Sequence, residues 1–594
     1  MIKKNNVKPL GYFRYFYKYL GNHIFFYIIL NFLVGFLDGI GLAMFVPLLT
    51  TATGSSLGEE SIGKLQIIID FIEGIGYEFT LSVALILMIL LFSLKGILYY
   101  LRIIYFTKIR LFMIRKVRYK LVNGLKYLSY NGFTKIDPGR IQNNMVGETN
   151  RLVNSMTSYF NTIQHIVMLL TYVFLAFISN WKFAIMVGIG GLMTNIIYKY
   201  INRVTKEYSR KQTSVNEDFN GNLIQAVHNF KYLKATNYLD KYAKKLFKNI
   251  SYSEGLAFKI SKVSAIGESL REPMIIIIIA GVIIIQVNVM GGSFSSILVS
   301  LLLFYRALAH LVTMQNAWNS FIGNSAGIES IENILSDFDK NKELKAPHNI
   351  KTIGDIELND VNLFFGHKQV IKNINLDIKE NSSVAFVGES GAGKTTLANI
   401  ICGLEKPNQG KVLVSGESLY ESDLNDYRCK IGYITQEPVI FNDTLFNNIT
   451  FWDDKTPENL EKFYRTISLV SLNEFVDDLE YKEDTKLGNN GILISGGQKQ
   501  RITIARELYK DVKILIMDEA TSALDSETEQ YIKENIDNLK GKYTIIIIAH
   551  RLSTIKNVDK IVLLDKGVIQ GVGDFKSLLE ISTKFKNLVE LQNL

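Results

Sequence analysis

Long apolar segments interrupt the first half of the chain and are absent from the second half. Six of them approach the ~20 residues that an α-helix needs to cross ~30 Å of hydrocarbon. They are Ile24–Leu49, Phe79–Tyr105, Tyr159–Ser179, Phe183–Ile201, Pro273–Val289 and Ile297–Ala317. One such segment alone fits a buried core helix, but a soluble core built from six would be abnormally large. The pattern therefore predicts six membrane-spanning helices.

The charges between these segments predict the orientation in the membrane. The loops 106–156 and 202–272 are rich in Lys and Arg, whereas 51–78 carries only Lys64 against five acidic residues. Because positive loops stay in the cytoplasm, we expect both termini and everything after about residue 330 to be cytoplasmic. We also expect the first span to be retained, since no small-residue cleavage site follows it. The predicted location is therefore the cytoplasmic membrane, which the chain crosses several times.

The two long cytoplasmic loops are predicted to be helices that continue out of the membrane. Short reversals are expected near Gly139–Glu148 and Leu223–Phe230. On the outer side, apolar residues at helical spacing predict a short amphipathic helix, which either lies on the membrane surface or is a packed loop helix; they are Leu65, Ile68, Ile69 and Ile72.

Composition fits a chain that is partly in the membrane and partly soluble. Its 594 residues are 48% hydrophobic and 21% charged, with a net charge of +9, and the mean hydropathy is +0.13. Two cysteines exclude a disulfide framework. The basic residues lie where membrane topology needs them, so no nucleic-acid partner is expected.

The second half predicts an α/β domain, because strand-like and helix-like segments alternate there. Asp, Lys and Asn accumulate between Ser336 and Thr352, which indicates a linker. The predicted domains are a membrane domain at 1–335, a linker at 336–352 and a nucleotide-binding domain at 353–594. The predicted fold class is thus a six-helix all-α transmembrane domain followed by an α/β P-loop ATPase domain.

A glycine-rich loop lies between an apolar strand and a helix at Ser383–Leu404. This strand–loop–helix context is what a P-loop requires. Glycines let backbone N–H groups surround a phosphate, and the helix N-terminus adds a positive dipole end. Lys394 is predicted to reach the β- and γ-phosphates of ATP, and the Thr395 hydroxyl to bind Mg²⁺.

A second apolar strand, Ile514–Met517, ends in Asp518 and Glu519. Asp518 is predicted to support Mg²⁺, and Glu519 to polarise the attacking water as general base. Between the two strands, Ser495–Gln498 opens a helix with a Ser-Gly-Gly turn, which is another phosphate cradle. One chain has a single nucleotide-binding domain, so the second cradle predicts a homodimer with two shared ATP sites.

These motifs and their order resemble an ABC exporter half-transporter. The Walker A motif then comprises Gly388, Glu389, Ser390, Gly391, Ala392, Gly393, Lys394, Thr395 and Thr396. The signature motif is matched by Ser495, Gly496, Gly497 and Gln498, with Ile494 where the family usually has Leu.

The same resemblance implies roles for residues outside these two motifs. Gln436 resembles the Q-loop glutamine, which senses Mg²⁺ and water, and Ser522–Asp525 resembles the D-loop. His550 resembles the switch histidine that contacts the γ-phosphate. Phe365 stands where an aromatic residue, often Tyr, stacks on adenine. The two cytoplasmic reversals fall where the family places the coupling helices that transmit closure to the membrane domain.

Basic residues within the predicted spans are candidates for contact with substrate, because intramembrane charges are costly and usually face a cavity or a partner. Lys95 and Arg102 lie seven residues apart on the second span, and Arg306 lies on the sixth, four residues before His310. In a dimer they predict a basic belt suited to phosphate head groups. Alternatively, Asp38 neutralises one of them and Arg102 extends to the membrane surface.

A narrower resemblance concerns the transported substrate. Phe36–Pro47 and Leu303–Arg306 are similar to segments of bacterial flippases of lipid-linked oligosaccharides. The main hypothesis is therefore ATP-driven export of an anionic lipid-linked glycan. The alternatives are a multidrug or lipid A exporter and, opposed by Glu519 and His550, an ATP-gated channel. The six spans exclude a soluble ABC ATPase.

Overall fold

The structure is a computed structural model of the chain. It describes residues 9–44, 74, 80–179, 181–285, 294–343, 346, 348–350, 352–518, 539–549 and 555–592. The chain divides into two compact units, one of Met1–Leu128 and Gly132–Lys342, the other of Ser129–Asn131 and Glu343–Leu594.

The first unit is helical. Its elements, in chain order, are α1 (Pro9–Leu20), α2 (His23–Ala43), α3 (Leu81–Lys126), α4 (Tyr130–Thr134), α5 (Pro138–Asn143), a π-helix (Asn144–Glu148), α6 (Thr149–Ser179), α7 (Trp181–His228), α8 (Phe230–Ala235), α9 (Leu239–Ser269), α10 (Arg271–Ile284), α11 (Phe294–Asn324) and α12 (Ala326–Lys340). Within the described residues, His23–Gly41, Leu81–Lys126 and Pro138–Phe177 are long and apolar enough to cross a membrane. The other predicted spans coincide with α7, α10 and α11.

An aromatic core holds the N-terminal helix α1 against two later helices, α6 and α11. Tyr12 meets Phe321 edge-on with ring centroids 4.7 Å apart, and Phe16 lies 5.0 Å from Tyr159. Both α1 residues are buried. Aromatic pairs in such arrangements stabilise beyond their buried area, so α1 is a packed element of this unit.

One predicted reversal lies elsewhere in the structure, and the other begins within the end of its predicted range, at Asn229. Gly139–Glu148 is helical, because Asp137 caps α5 by accepting a 3.0 Å hydrogen bond from the Arg140 amide; the chain instead turns between α3 and α5. The second turn follows His228 and contains α8. Gly139 allows a close helix contact, since a Cβ there would lie 2.4 Å from the Cα of Gly221.

One further expectation meets the structure only in part, and another is not tested by it. Helix α12 continues to Lys340, so the first five residues of the predicted linker 336–352 are helical. The predicted outer amphipathic helix at 65–72 lies outside the described residues.

The second unit contains two sheets. Its elements are β1 (Ile356–Phe365), β2 (Lys368–Ile378), β3 (Ser383–Val387), α13 (Lys394–Ile401), β4 (Gln409–Val414), β5 (Glu417–Ser418), α14 (Leu424–Arg428), β6 (Ile431–Ile434), α15 (Leu445–Thr450), α16 (Pro457–Leu469), α17 (Asn473–Asp477), α18 (Gly496–Tyr509), β7 (Ile514–Asp518), β8 (Thr544–Ile548), β9 (Lys560–Asp565), β10 (Val568–Gly573), α19 (Phe575–Ile581) and α20 (Thr583–Gln592).

The larger sheet has the order β10-β9-β3-β8-β7-β6 and is parallel except for β10, while β2-β1-β4-β5 form a smaller antiparallel sheet. The central strands are apolar throughout, as expected for a parallel sheet covered on both faces. One apolar core lies between this sheet and α15–α18, and the other between the two sheets. The predicted fold class is confirmed.

Candidate functional site

The predicted phosphate loop follows the buried strand β3 and leads into α13. A Cβ on Gly388 would lie 2.1 Å from the Leu564 carbonyl oxygen of β9, and one on Gly393 would lie 2.9 Å from the Ile371 side chain. Gly393, which directly precedes α13, has a φ of 104°, a region that L-residues rarely adopt. The loop therefore needs glycine for its conformation as well as for access to a phosphate.

The lysine of this loop lies inside it. Lys394 is 5% exposed, and its ammonium donates hydrogen bonds of 2.8 Å to the Gly388 carbonyl and 3.0 Å to the Glu389 carbonyl. Thr395 is exposed in the first turn of α13, where backbone N–H groups point outward. The loop thus presents a cation, a hydroxyl and helix N–H groups at one point, which is suited to a polyphosphate.

The remaining residues of the phosphate loop differ in exposure, and the ion pairs they make lie at the surface. Glu389 and Ser390 are exposed, Ala392 is buried and Thr396 is half-buried. The Lys584 ammonium of α20 lies 3.3 Å from the Glu389 carboxylate and 2.9 Å from that of Asp565. These exposed pairs contribute little to stability.

Asp518 lies at the carboxyl-terminal ends of the parallel strands, where the phosphate loop also begins. The register pairs Phe386 of β3 with Ile548 of β8, and Ile548 with Asp518 of β7, so the three residues form one row across the sheet. The Tyr433 hydroxyl donates a 3.4 Å hydrogen bond to the Asp518 carboxylate. Burial, with the Asp518 charge, raises the pKa of Tyr433, which therefore stays a neutral donor.

The oxygen donors at this edge fit Mg²⁺, which prefers oxygen ligands and keeps several waters. The predicted ligands are the Thr395 hydroxyl, the Asp518 carboxylate and the side-chain amide of Gln436. Gln436 is exposed, two residues beyond β6. Within the described part of the chain, no group of three His, Cys, Asp or Glu residues is placed to hold a metal. This donor set suits an ion bound mainly by substrate phosphates.

Two predicted catalytic residues, Glu519 and His550, lie outside the described residues, as does the predicted D-loop Ser522–Asp525. The strands that precede Glu519 and His550, β7 and β8, are paired in the larger sheet. β7 ends at Asp518, and the amide of Ala549 donates a 3.1 Å hydrogen bond to the Phe386 carbonyl. The roles of these residues stay predictions.

The signature segment forms a capping box at the start of α18. The Ser495 hydroxyl accepts a 3.3 Å hydrogen bond from the Gln498 amide, and the Gln498 side chain accepts a 2.8 Å bond from the Ser495 amide. A Cβ on Gly496 would meet open space, and Gly497 is half-buried in the first turn. Directly before the motif, Ile492 and Leu493 are 79% and 72% exposed.

Phe365 ends β1 at the turn into β2 and is 45% exposed. Strand β2 borders the phosphate loop, since the Val370 carbonyl lies 3.5 Å from a Cβ placed on Gly393. The aromatic ring thus belongs to the hairpin whose second strand lines the loop. Its predicted stacking on adenine stays a prediction.

Sequence reasoning overlooked Arg506, a buried cation on α18. It donates hydrogen bonds of 2.5 Å to the Asn448 carbonyl, 2.7 Å to the Val439 carbonyl and 3.0 Å to the Asn448 side chain. Burial lowers its pKa. Arg506 thereby holds the segment that follows Gln436. The sequence did hold a sign that Arg506 is buried, because Ile502, Arg506 and Tyr509 share the apolar face of the helix.

The three basic residues predicted to contact substrate have different surroundings. The Lys95 ammonium forms an ion pair with Asp38, which also accepts a hydrogen bond from the Tyr172 hydroxyl. Arg306 is exposed and interacts electrostatically with Asp38. Asp38 therefore pairs with Lys95, as the alternative interpretation allows.

Arg102 is buried rather than extended to the membrane surface. It is 6% exposed, donates a 3.3 Å hydrogen bond to the Asn31 side chain and lies 4.4 Å from the centre of the Tyr99 ring. His310, four residues after Arg306, has its Nδ1 atom 3.1 Å from Nδ1 of His165.

Comparisons with known proteins agree with this architecture. The model of the ABC transporter transmembrane region matches residues 24–314, and that of the ABC transporter ATP-binding domain matches 371–522. Together they cover about three quarters of the chain. A solved structure, described as a bacterial Atm1-family ABC exporter with ATP bound, has a TM-score of 0.79 and 21% identity over 96% of this chain and 97% of that one. This likeness shows the fold.

Curated relatives are similar over most of their length. The chain is 29% identical to the ATP-dependent lipid A-core flippase of Francisella tularensis subsp. holarctica (strain OSU18) over 79% of this chain and 78% of the relative. The relative of the same name from Desulfotalea psychrophila is 27% identical, over 86% and 90%. The one from Legionella pneumophila (strain Paris) is 28% identical, over 87% and 88%.

Transmembrane helices, the phosphate loop and the signature helix therefore occur in one chain, in the order that these proteins share. The chain belongs to the ABC transporters, as an exporter-type half-transporter that couples ATP hydrolysis to transport across a membrane.

Proposed function

We propose that this exporter moves a lipid with a phosphate-bearing saccharide head group from the cytoplasmic to the outer side of a bacterial inner membrane. A lipid A-core molecule is the first candidate. The observation that carries this choice is similarity to lipid A-core flippases over up to 87% of the chain. It favours the lipid A alternative over the lipid-linked glycan that was the main hypothesis from sequence.

A lipid-linked glycan is the second candidate, because both lipids join phosphate to sugars. The basic residues in the membrane helices support either one. Arg306 is exposed beside the Lys95–Asp38 pair, and guanidinium groups bind phosphate well. Arg102 is a less suitable contact, because its guanidinium is buried against Asn31.

The functional unit in this proposal is a homodimer with both termini of each chain in the cytoplasm. Ser495, Gly496 and the exposed Ile492 and Leu493 offer a surface suited to a second copy. A heterodimer with a related chain is the alternative. In either dimer the signature helix of one chain faces the phosphate loop of the other.

The roles proposed for the site follow from their chemistry. Lys394 and the α13 N-terminus bind and orient the β- and γ-phosphates of ATP. Thr395, Asp518 and Gln436 hold Mg²⁺, which neutralises phosphate charge. Glu519 accepts a proton from the attacking water, and His550 contacts the γ-phosphate. Closure of the two ATP sites then biases the membrane domains between inward- and outward-facing states.

ATPase stimulation in proteoliposomes tests this proposal. Purified protein would be titrated with lipid A-core, a polyprenyl-pyrophosphate glycan and a hydrophobic drug under identical conditions. We expect lipid A-core to stimulate hydrolysis most strongly. Stimulation by the polyprenyl glycan alone would select the second candidate, and stimulation by the drug alone would contradict both.

A further inference from the structure

The last described helix, α20, is anchored in the apolar core of the second unit. Phe585 is 0% exposed, and its ring meets that of Phe575 edge-on with centroids 5.5 Å apart. Leu588 and Val589 pack against the same core. Lys584 directly precedes Phe585, so its backbone is held in place although its side chain lies at the surface.

The Lys584 ammonium joins two carboxylates from separate segments. It lies 2.9 Å from that of Asp565, at the end of β9, and 3.3 Å from that of Glu389, in the phosphate loop. The hydrogen bond to Asp565 and the pair with Glu389 raise the pKa of Lys584, so this side chain stays a cation at neutral pH. Helix α20 therefore brings a positive charge to the phosphate loop.

The turn between β9 and β10 contacts the phosphate loop at two further points. The Gly567 amide donates a 3.0 Å hydrogen bond to the Ala392 carbonyl. A Cβ on Gly388 would lie 2.1 Å from the Leu564 carbonyl oxygen. The loop is thus fixed against this turn on both sides of Glu389 in the sequence, and the Glu389 side chain projects from a firmly held backbone.

Glu389 places a negative charge in a loop whose predicted ligand is also negative. Its side chain is 64% exposed, and its carbonyl accepts a 3.0 Å hydrogen bond from the Lys394 ammonium. A Glu389 carboxylate that is free to move would compete with the phosphates of ATP for that ammonium and would repel them. The ion pair with Lys584 opposes both effects, because a nearby cation holds the carboxylate and offsets its charge.

We propose that Lys584 is a positioning residue for ATP binding, which holds the Glu389 carboxylate away from the phosphate-binding face of the loop. Lys584 acts through Glu389 and does not itself contact the nucleotide. This inference rests on the proposed binding of ATP by Lys394 and the α13 N-terminus, and it extends that site to α20. Loss of Lys584 should raise the KM for ATP and leave kcat nearly unchanged, since it weakens binding of the ground state and the transition state alike.

The test measures ATP hydrolysis by the full-length protein in detergent. Lys584→Met keeps the apolar part of the side chain and removes the charge. We expect the KM for ATP to rise about threefold and kcat to stay within about twofold of the parent value, whereas Lys584→Arg should keep the parent KM. At about 1 M salt, where the screening length falls to ~3 Å, the KM of Lys584→Met relative to the parent should return to about one.

A surface lysine with a similar ion pair provides the matched control. Lys462 is 38% exposed and lies 3.1 Å from the Asp511 carboxylate. Lys462→Met should keep the parent KM. The melting temperatures of Lys462→Met and Lys584→Met should both equal that of the parent, because exposed ion pairs contribute little to stability. A rise in KM that persists in high salt would point to altered packing and would overturn the proposal.

Two double variants decide whether Lys584 acts through Glu389. Glu389→Gln combined with Lys584→Met should return the KM to about the parent value, because no loop carboxylate is left to hold. Asp565→Asn combined with Lys584→Met restores the same local net charge but should retain most of the threefold rise. Equal rescue by both substitutions would reject the specific role of Glu389.

Lys394→Ala separates this inference from the proposed ATP site. If Lys394→Ala binds ATP as tightly as the parent, the proposed site is wrong and the role of Lys584 is wrong with it. If Lys394→Ala loses ATP binding while Lys584→Met keeps the parent KM, the ATP site stands and only the role of Lys584 is rejected.

Discussion

Gly139 of α5 lies against Gly221 of α7 so closely that a Cβ on Gly139 would be 2.4 Å from the Gly221 Cα atom. Gly139→Ala must push the two helices apart. We expect this to cost about 1–3 kcal/mol, measured as a lower melting temperature in detergent. Gly255→Ala is the control, because a Cβ there meets open space and alanine favours the helix. Equal melting of both variants would contradict the close contact.

Arg506 should be necessary for the stability of the ATP-binding unit. Arg506→Met leaves the carbonyl groups of Asn448 and Val439 without the donor that the structure shows. We expect a loss of about 3 kcal/mol and lower ATPase activity, measured by denaturant unfolding and phosphate release. The exposed Arg465 provides the control. If Arg506→Met unfolds like Arg465→Met, the buried cation has no such role.

Ser495 caps α18 and is also predicted to bind phosphate, and two substitutions separate these roles. Ser495→Ala removes the N-cap of α18 and should destabilise it by about 1 kcal/mol. Ser495→Asp restores a capping acceptor but places an anion in the predicted phosphate cradle. We expect Asp to recover the melting temperature and not ATP hydrolysis. Recovery of hydrolysis by Asp would show that Ser495 acts only as a cap.

Glu519 follows Asp518 at the end of β7 and is predicted to be the general base. Glu519→Gln should keep ATP binding and lower hydrolysis by roughly 10²–10⁴-fold, the usual contribution of such a base. Nucleotide binding and phosphate release would be measured side by side. The exposed Glu461 serves as control, and Glu461→Gln should hydrolyse ATP normally. Hydrolysis at the parent rate in Glu519→Gln would falsify this role.

The two cysteines should differ in reactivity. Burial raises the pKa of the Cys402 thiol to about 12, so only roughly 10⁻⁴ of it is thiolate at pH 8, whereas Cys429 is exposed. A maleimide at pH 8 should therefore label the folded protein once and the unfolded protein twice. Cys429→Ser should not label until it unfolds. Rapid labelling of that folded variant would show that Cys402 is accessible.

The phosphate loop and the signature turn could be predicted from sequence because each is local. The phosphate loop occupies consecutive residues between β3 and α13, and its chemistry depends on glycine positions that can be read directly. The signature turn is local in the same way, as the capping box between Ser495 and Gln498 shows. Length and apolarity are also properties of single segments, and three of the predicted spans overlap described helices that are long and apolar enough to cross a membrane.

Contacts between distant segments were not predictable in this way. The reversal predicted near Gly139–Glu148 lies before α5 instead, and Gly139 packs closely against Gly221 of a distant helix. Arg506 looks like a surface charge until the Asn448 and Val439 carbonyls surround it. The same holds for Lys95, whose partner Asp38 lies on another helix.

The sequence by itself therefore determined the class of protein, and it predicted the chemistry of the phosphate loop and the segments that enter the membrane. Only the tertiary structure decided which intramembrane charge is paired, which is buried and which carboxylates Lys584 contacts. The physical reason is that the energy of a charge depends on the groups around it. For Lys95, Arg102 and Lys584, those groups come from segments far apart in the chain.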